Sequence, residues 1–223
     1  MSYSIDTQAL LEKIDSLHPT TRYAVEIVTG IRPGNGVKAC EKERLACARH
    51  LSDLQRQDSE DFPYVFDESR ANRIFDWFEK CCRHVRGPFS GQLIELLPFQ
   101  KFDLGCMFGW VEKDTGRRRF KQSFNERARG NVKSTEMSGI ALYGMCSDCL
   151  YPPGHPELRK YETSPEVECA AVDREQAKRI WLDAKRMGEE SPDIAKRLRI
   201  RRTYIEHKTR GGWLRPLSKD TKN

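Results

Sequence analysis

The chain has 223 residues, a mass of 25.9 kDa and a formal net charge of +6, which suits one large domain or a compact domain with a smaller helical appendage. No stretch is apolar for the length of a membrane span, and the N-terminus lacks the order of a secretory signal, so we expect a cytoplasmic protein with no membrane partner. The eight cysteines are then expected to be reduced, and the basic excess favours a phosphate-rich partner, although each basic cluster also fits a solvated face.

The first part of the chain is predicted to be helical. A helix is predicted from Lys38 to about Gln55, and a second one behind Asp67, which suits an N-cap. The apolar residues that recur at helical steps are Cys40, Cys47, Leu51 and Leu54 in the first helix and Ala71, Ile74, Phe75, Phe78, Cys82 and Val85 in the second. Pro and Gly residues at 86–91 end this region, so we place a domain boundary near residue 87, after a helical leader at 1–87.

Residues 88–223 alternate between strand and helix patterns. Pro98 suits the first turn of a helix, and a strand at 118–125 is followed by a helix from Lys133. The next predicted elements are a strand at 166–171, a helix capped by Asp173, and two strands at 198–206 and 213–217 joined as in a hairpin. The apolar faces of the two helices are Met137, Ile140, Ala141 and Gly144, and Ala177, Ile180, Trp181, Ala184 and Met187. This order predicts an α/β fold with a mainly parallel sheet.

The turn before the Lys133 helix has the position of a phosphate-binding loop. In such a loop, backbone N–H groups at a helix N-terminus bind phosphate oxygens, a Lys adds charge at the β/γ-phosphates, and the adjacent hydroxyl binds Mg²⁺. Lys133 and Ser134 match the last two roles and predict ATP and Mg²⁺ as ligands. Arg127 and Val132 replace two usual glycines, so the segment taken alone also fits an ordinary strand-to-helix turn with a basic lip.

Together with its neighbours, this loop resembles the large terminase subunits of tailed bacteriophages. The segments that follow one another in the family's order are LLPFQKF at 96–102, FGW at 108–110, TGRRRF at 115–120 and the loop at 126–134. Segments at 23–30, 46–54 and 170–177 are also similar to the family, so the resemblance covers nearly the whole chain. It implies an incomplete P-loop NTPase of the additional-strand type at 88–223 and, in the intact subunit, ATP-driven translocation of duplex DNA into a prohead.

The resemblance also implies roles for single residues. Gln100 is similar to the family's adenine-recognising glutamine, with Phe99 or Phe102 as the stacking face. Arg129 matches an arginine that acts in cis as a finger on the γ-phosphate. The remaining nucleotide-binding residues implied by the match are Arg127, Gly130, Asn131, Lys133 and Ser134, with Lys133 also catalytic and Ser134 on Mg²⁺. Val132 departs from the family's Gly, and a β-branched residue resists the positive φ of that position.

The partners implied by the resemblance are a portal protein and a small terminase subunit, on which the intact large subunit works as a homo-oligomeric ring. The family continues after a segment similar to 217–220 into an apolar strand that ends in Asp-Glu, whereas the sequence stops at Asn223. Because that acidic pair holds Mg²⁺ through water and orients the attacking water, we expect residues 1–223 alone to bind nucleotide weakly and to hydrolyse little ATP.

Two other function classes stay open. One is a noncatalytic basic DNA-binding or adaptor module, in which basic clusters contact phosphates and the loop binds no nucleotide. The other is a helicase-like translocase fragment, which shares adenine recognition by glutamine with the phosphate loop. A zinc site at Cys146, Cys149 and His155 is disfavoured, because zinc sites usually have four correctly spaced Cys or His ligands.

Overall fold

The computed structural model describes residues 7–31, 39–128, 130–171 and 174–217, without the side chains of residues 7 and 174–176. Its helices are α1 (Thr7–Leu11), α2 (Pro19–Thr29), α3 (Glu41–Arg56), α4 (Glu68–Asp76), α5 (Pro98–Gly109), α6 (Lys133–Cys146), α7 (Arg174–Glu190) and α8 (Pro192–Ala195). Its strands are β1 (Tyr64–Phe66), β2 (Trp110–Glu112), β3 (Cys149–Leu150), β4 (Lys160–Tyr161), β5 (Glu166–Cys169), β6 (Leu198–Ile200), β7 (Ile205–His207) and β8 (Gly211–Pro216).

The chain forms two compact units, each assembled from separate stretches. The first unit contains the residues up to Phe75 together with Leu96–Ser123 and Tyr151–Glu157. The second contains Asp76–Glu95, Phe124–Leu150 and the residues from Leu158 onward. The two units interleave along the chain, so they do not correspond to a single division of the sequence. The domain boundary near residue 87 therefore stays a prediction.

The first unit packs helices α2, α3 and α5 with the antiparallel pair β1 and β2 around an aromatic core. His50 is buried in this core, where its Nδ1 accepts a hydrogen bond from Trp110 Nε1 at 3.0 Å. Since Nδ1 is the acceptor, Nε2 carries the proton and donates to Thr21 Oγ1 at 3.1 Å. Both ring nitrogens of His50 are therefore hydrogen-bonded within the core of the first unit.

The predicted helices of the leader are largely confirmed. Helix α3 buries Cys47 and Leu51, but Leu54 is only half-buried and Cys40 is exposed, because the helix begins after Cys40. Asp67 caps α4 as predicted, since its Oδ1 accepts from the backbone N–H of Ser69 at 2.9 Å. All six predicted apolar positions behind Asp67 are buried, although α4 gives way to a π-helical turn at Trp77–Cys81 before the last two.

The second unit packs α6 and α7 against a four-stranded sheet with the order β5-β8-β7-β6. Within this sheet β5 and β8 are parallel, whereas β6 with β7 and β7 with β8 are antiparallel. The prediction of a mainly parallel sheet is therefore wrong for the described residues. Its physical reason is loop length, because connections as short as 201–204 and 208–210 can join only antiparallel neighbours. The predicted hairpin connection is confirmed between β7 and β8, but the single strand predicted at 198–206 is wrong, because the chain turns at 201–204 and forms two antiparallel strands, β6 and β7.

The predicted strand at 118–125 is also wrong. Residues 113–128, all of which the structure describes, contain no strand. Arg118 forms an isolated antiparallel β-bridge with Val111. This stretch is polar and largely exposed, and its Phe124 is 84% exposed, so it has no apolar face to bury in a sheet. The candidate phosphate loop therefore follows an irregular segment.

The other elements of the second half begin close to their predicted positions. Helix α5 begins at Pro98, α6 at Lys133, and β5 covers most of the predicted 166–171 strand. Helix α7 buries four of its five predicted apolar positions and leaves Ile180 half-buried. In α6 only Ala141 of the predicted stripe is buried, whereas Met137, Ile140 and Gly144 are half-buried. The buried face lies instead around Leu142, Tyr143 and Met145. The predicted cap Asp173 lies outside the described residues.

Candidate functional site

The N-terminus of α6 lies at the end of the candidate loop. Lys133 is the first helical residue, and the first helical hydrogen bond runs from the backbone N–H of Glu136 to the carbonyl of Val132 at 3.0 Å. The first N–H groups of any α-helix have no intrahelical acceptor, and they point away from the helix toward the preceding loop. This end of α6 therefore presents N–H donors and a positive partial charge where the sequence predicts a phosphate.

Two residues of the loop have left-handed backbone conformations. Gly130 has a φ of 94°, which a residue without Cβ adopts readily. Val132 has a φ of 51° and a ψ of 14°, although a β-branched side chain disfavours this region. A non-glycine residue held there stores about 1–3 kcal/mol of strain. The chain thus adopts at Val132 the backbone that the family obtains with Gly, and it does so at a cost in free energy.

Lys133 and Ser134 are exposed at the start of the helix. The Lys133 ammonium points back toward the loop, with its Nζ 3.5 Å from the carbonyl oxygen of Arg127. This contact is long for a hydrogen bond and therefore weak. The exposed Lys133 ammonium thus lies near Arg127, at the start of the loop. The hydroxyl of Ser134 belongs to the next residue along the chain.

Arg127 has a different environment from the one that the sequence predicts for a nucleotide ligand. Its Nη1 lies 2.6 Å from Oε2 of Glu136, and the two side chains are only 9% and 2% exposed. Such a buried ion pair is costly to break, because removing one partner of a buried pair generally destabilises a protein by about 3–5 kcal/mol. Glu136 was not predicted as part of the site, because a Glu in the first turn of a helix usually faces solvent, where its charge interacts favourably with the helix dipole.

Helix α6 is held in place by contacts with other elements of the second unit. Trp77 Nε1 donates to the carbonyl of Gly139 at 3.0 Å, and a Cβ at Gly139 would lie 2.2 Å from the ring of Phe78. The buried hydroxyl of Ser138 lies within 2.9 Å of the carbonyl of Ile180 on α7. These contacts hold the helix that carries Lys133, and sequence periodicity alone does not reveal them.

Gln100 lies in the first unit, whereas the loop belongs to the second. Its side chain is 4% exposed, and its Oε1 accepts from the backbone N–H of Leu97 at 3.0 Å, which stabilises the N-terminus of α5. Phe102 is buried in the core against Tyr23, and Phe99 is half-buried. The adenine-binding role of Gln100 stays a prediction.

Two further predictions concern the loop chemistry. Arg129, the candidate arginine finger, lies outside the described residues. Among the residues that are described, no group of three or more His, Cys, Asp or Glu side chains is placed to hold a metal ion directly. The Mg²⁺ predicted on Ser134 is held largely by the nucleotide phosphates, so it requires no such group.

Much of the clustered positive charge is already engaged in contacts within each unit. Arg119 forms an ion pair with Asp53 at 2.7 Å, and Arg118 stacks on Phe108. In the second unit, Arg199 lies 3.5 Å and Arg201 lies 3.9 Å from the carboxylate of Glu206. Basic clusters that look available in the sequence are thus partly structural. No helix of the described chain is long and apolar enough to cross a membrane.

A helix N-terminus behind a loop with a Lys, a hydroxyl and two left-handed residues, beside an α/β sheet, is typical of nucleotide-binding domains. The family described as "Terminase large subunit, ATPase domain" matches residues 98–223, which is more than half of the chain. The chain belongs to this family, and it therefore carries a terminase ATPase domain. This match favours a packaging terminase over a helicase-like translocase.

The crystal structure of the HK97 bacteriophage large terminase has a similar fold, with a TM-score of 0.52 and 21% sequence identity over 69% of this chain. The chain spans 28% of the length of that protein. A comparison with curated proteins found no match. The sequence match thus shows the family, and the structural match shows a similar fold.

Proposed function

We propose that residues 126–134 bind the phosphates of ATP with Mg²⁺, and that in the intact large subunit this binding drives duplex DNA into a prohead. The observation that carries the proposal is the start of α6 at Lys133, behind a loop in which Gly130 and Val132 are left-handed. This backbone directs helix N–H groups to one point, and an anion bound there interacts favourably with the helix dipole.

Each residue of the loop then has a defined chemical task. The backbone from Gly130 to Ser134 donates to phosphate oxygens, and the Lys133 ammonium exchanges its weak contact with Arg127 for the β/γ-phosphates. The Ser134 hydroxyl completes the coordination of Mg²⁺. Arg129 stabilises charge on the γ-phosphate, and Gln100 recognises adenine. Such catalysis consists of positioning and electrostatic stabilisation.

The partners of the proposed motor follow from the family. We propose that the intact subunit forms a homo-oligomeric ring on the portal protein and receives DNA from the small terminase subunit, in the host cytoplasm. Nucleotide-driven movement of the ATPase domain would then be coupled to movement of duplex DNA. Size-exclusion chromatography with light scattering, with and without portal protein, tests the assembly.

Nucleotide binding is tested by thermal unfolding with and without MgATP. A ligand that binds only the folded state at 100 times its Kd stabilises that state by about 2.7 kcal/mol, so a saturated wild-type protein should show a clear rise in Tm. Lys133→Ala should remove most of this rise. The matched control is Lys196→Ala, because Lys196 is an exposed lysine far along the chain whose ammonium pairs with Asp193 on the surface. A wild-type Tm that does not respond to MgATP would overturn the proposal.

The salt dependence of DNA binding and the Tm response to MgATP distinguish the nucleotide site from the DNA-binding alternative. A noncatalytic basic module should bind duplex DNA with an affinity that falls steeply with salt, while MgATP leaves its Tm unchanged. The expectation that residues 1–223 hydrolyse little ATP alone is a separate prediction, and DNA-stimulated phosphate release from this chain would contradict it.

A further inference from the structure

We propose that Arg127 and Glu136 form a clasp that holds the phosphate loop in its binding shape, and that Arg127 is a positioning residue instead of a phosphate ligand. This inference rests on the proposed function of the loop. It corrects the sequence-based assignment of Arg127, and it gives a role to Glu136, a residue that the motif does not include.

The geometry of the clasp joins the two ends of the loop. Arg127 precedes the left-handed residues, and Glu136 lies in the first turn of α6 after them, so their 2.6 Å ion pair closes the segment between them. The carboxylate also accepts the guanidinium in a place that water hardly reaches, since Glu136 is 2% exposed. An ion pair that is shielded from solvent is screened little by salt, so it keeps a fixed distance between the loop ends.

The strain at Val132 explains why such a clasp is needed. A loop with Gly at this position adopts φ above zero without resistance, whereas Val132 at a φ of 51° tends to relax toward negative φ. Relaxation would turn the peptide groups that lead into α6 and move their N–H donors away from a common point. Strained backbone persists where the surrounding structure fixes it, and the buried clasp joins the two sides of this residue more firmly than the long contact between Lys133 and the Arg127 carbonyl.

Burial also separates the positioning role from direct phosphate contact. Nη1 of Arg127 must leave a carboxylate 2.6 Å away before it can reach a phosphate, and both side chains are at least nine-tenths buried. Lys133 has no such constraint, because its ammonium is exposed and its contact with the Arg127 carbonyl is 3.5 Å long. The exposed ammonium of Lys133 is thus available to a phosphate, whereas the guanidinium of Arg127 is held by a buried ion pair.

The two roles predict opposite effects of Glu136→Gln on nucleotide affinity. If Arg127 positions the loop, Glu136→Gln should weaken MgATP binding about tenfold, because it removes one half of a coupled network. If Arg127 is a phosphate ligand, the same substitution releases its guanidinium and leaves affinity unchanged or higher. Titration of the full chain with a fluorescent ATP analogue in the presence of Mg²⁺ measures the difference.

Three more variants complete the test. Arg127→Met should weaken binding to a similar extent, and the double variant Arg127→Met with Glu136→Gln should be no weaker than the worse single variant, since both changes break one clasp. Arg127→Lys keeps the charge and should restore part of the affinity. Should Glu136→Gln fail to fold, as judged by circular dichroism, the comparison of Arg127→Lys with Arg127→Met carries the test, and equal affinities in those two would overturn the clasp.

The outcome for the wild type separates this inference from the proposed function. If the wild-type chain does not bind the ATP analogue, and Lys133→Ala is indistinguishable from it, the proposed function fails. If the wild type binds the analogue in a Lys133-dependent manner but Glu136→Gln binds equally well or better, the clasp alone fails. Independent, additive losses in the double variant would likewise contradict a shared clasp.

Discussion

Helix α4 in the first unit and helix α6 in the second begin in different ways. At the start of α4, Asp67 Oδ1 accepts from the backbone N–H groups of Ser69 and Arg70, at 2.9 and 3.3 Å. At the start of α6, Val132 has no side-chain oxygen, and no side-chain cap is formed there. The carboxylate of Asp67 thus occupies the kind of place that the proposed phosphate takes at α6. A capped helix start stabilises the fold, whereas an uncapped start can receive a ligand.

The largest expected effect is loss of the internal cap. Asp67→Ala removes the cap of α4 and the carboxylate that lies 3.5 Å from the buried Arg70 guanidinium. We expect the free energy of unfolding to fall by about 3 kcal/mol, since a buried charge then loses its partner. Urea unfolding at pH 7 measures this change, and Asp76→Ala, at an exposed carboxylate paired with Lys80, is the matched control. A loss below about 1 kcal/mol, the value of an ordinary cap, would show that Arg70 is satisfied without Asp67.

A smaller effect is expected from acid, again in the first unit. Burial lowers the pKa of His50 to about 3, below the 6.5 of an unfolded histidine. The folded state therefore binds fewer protons than the unfolded state between these values, so its stability is complete above pH 6.5 and is lost as the pH falls below it. At pH 5 the expected loss is about 2 kcal/mol, from about 1.4 kcal/mol for each pH unit.

Substitution of His50 isolates this contribution. His50→Gln keeps one acceptor for Trp110 and one donor for Thr21 but has no proton to gain, so its unfolding free energy should depend less on pH between 7 and 5 than that of the wild type. The exposed His155 provides the matched control, His155→Gln. If His50→Gln and the wild type lose the same unfolding free energy between pH 7 and pH 5, His50 is not the source of the pH dependence.

Sequence periodicity predicted the helices better than the sheet, for a physical reason. Helices α3, α4 and α7 are defined by contacts between residues three and four apart, which the sequence records directly. The sequence pattern predicted the hairpin of β7 and β8, but it did not predict that residues 201–204 divide the 198–206 segment into the antiparallel strands β6 and β7. The alternation of strands and helices suggested a mainly parallel sheet, whereas the described sheet has one parallel pair, β5 with β8. The strand prediction at 118–125 is wrong because this segment has no apolar face to bury in a sheet.

The candidate site was predicted in part. The motif located the start of α6 at Lys133, because a phosphate loop is a local arrangement of backbone and a few side chains. It did not reveal the partner of Arg127, since the burial of Glu136 depends on the tertiary structure and is not part of the motif. Local chemistry was therefore predictable, and the contacts that support it were not.

The smallest expected effect concerns the uncapped helix start itself. Val132→Gly removes a strain of about 1–2 kcal/mol for a left-handed L-residue, offset by about 0.5–1 kcal/mol for the added freedom of Gly in the unfolded chain. We therefore expect stability to rise by at most about 1.5 kcal/mol, while affinity for MgATP rises about threefold, because the loop no longer resists the φ of 51° that it needs. Val132→Ala, which keeps Cβ, should gain less in both measurements. Weaker MgATP binding by Val132→Gly would mean that the left-handed backbone at residue 132 does not serve the phosphate, and the contrast between α4 and α6 would then lose its functional meaning.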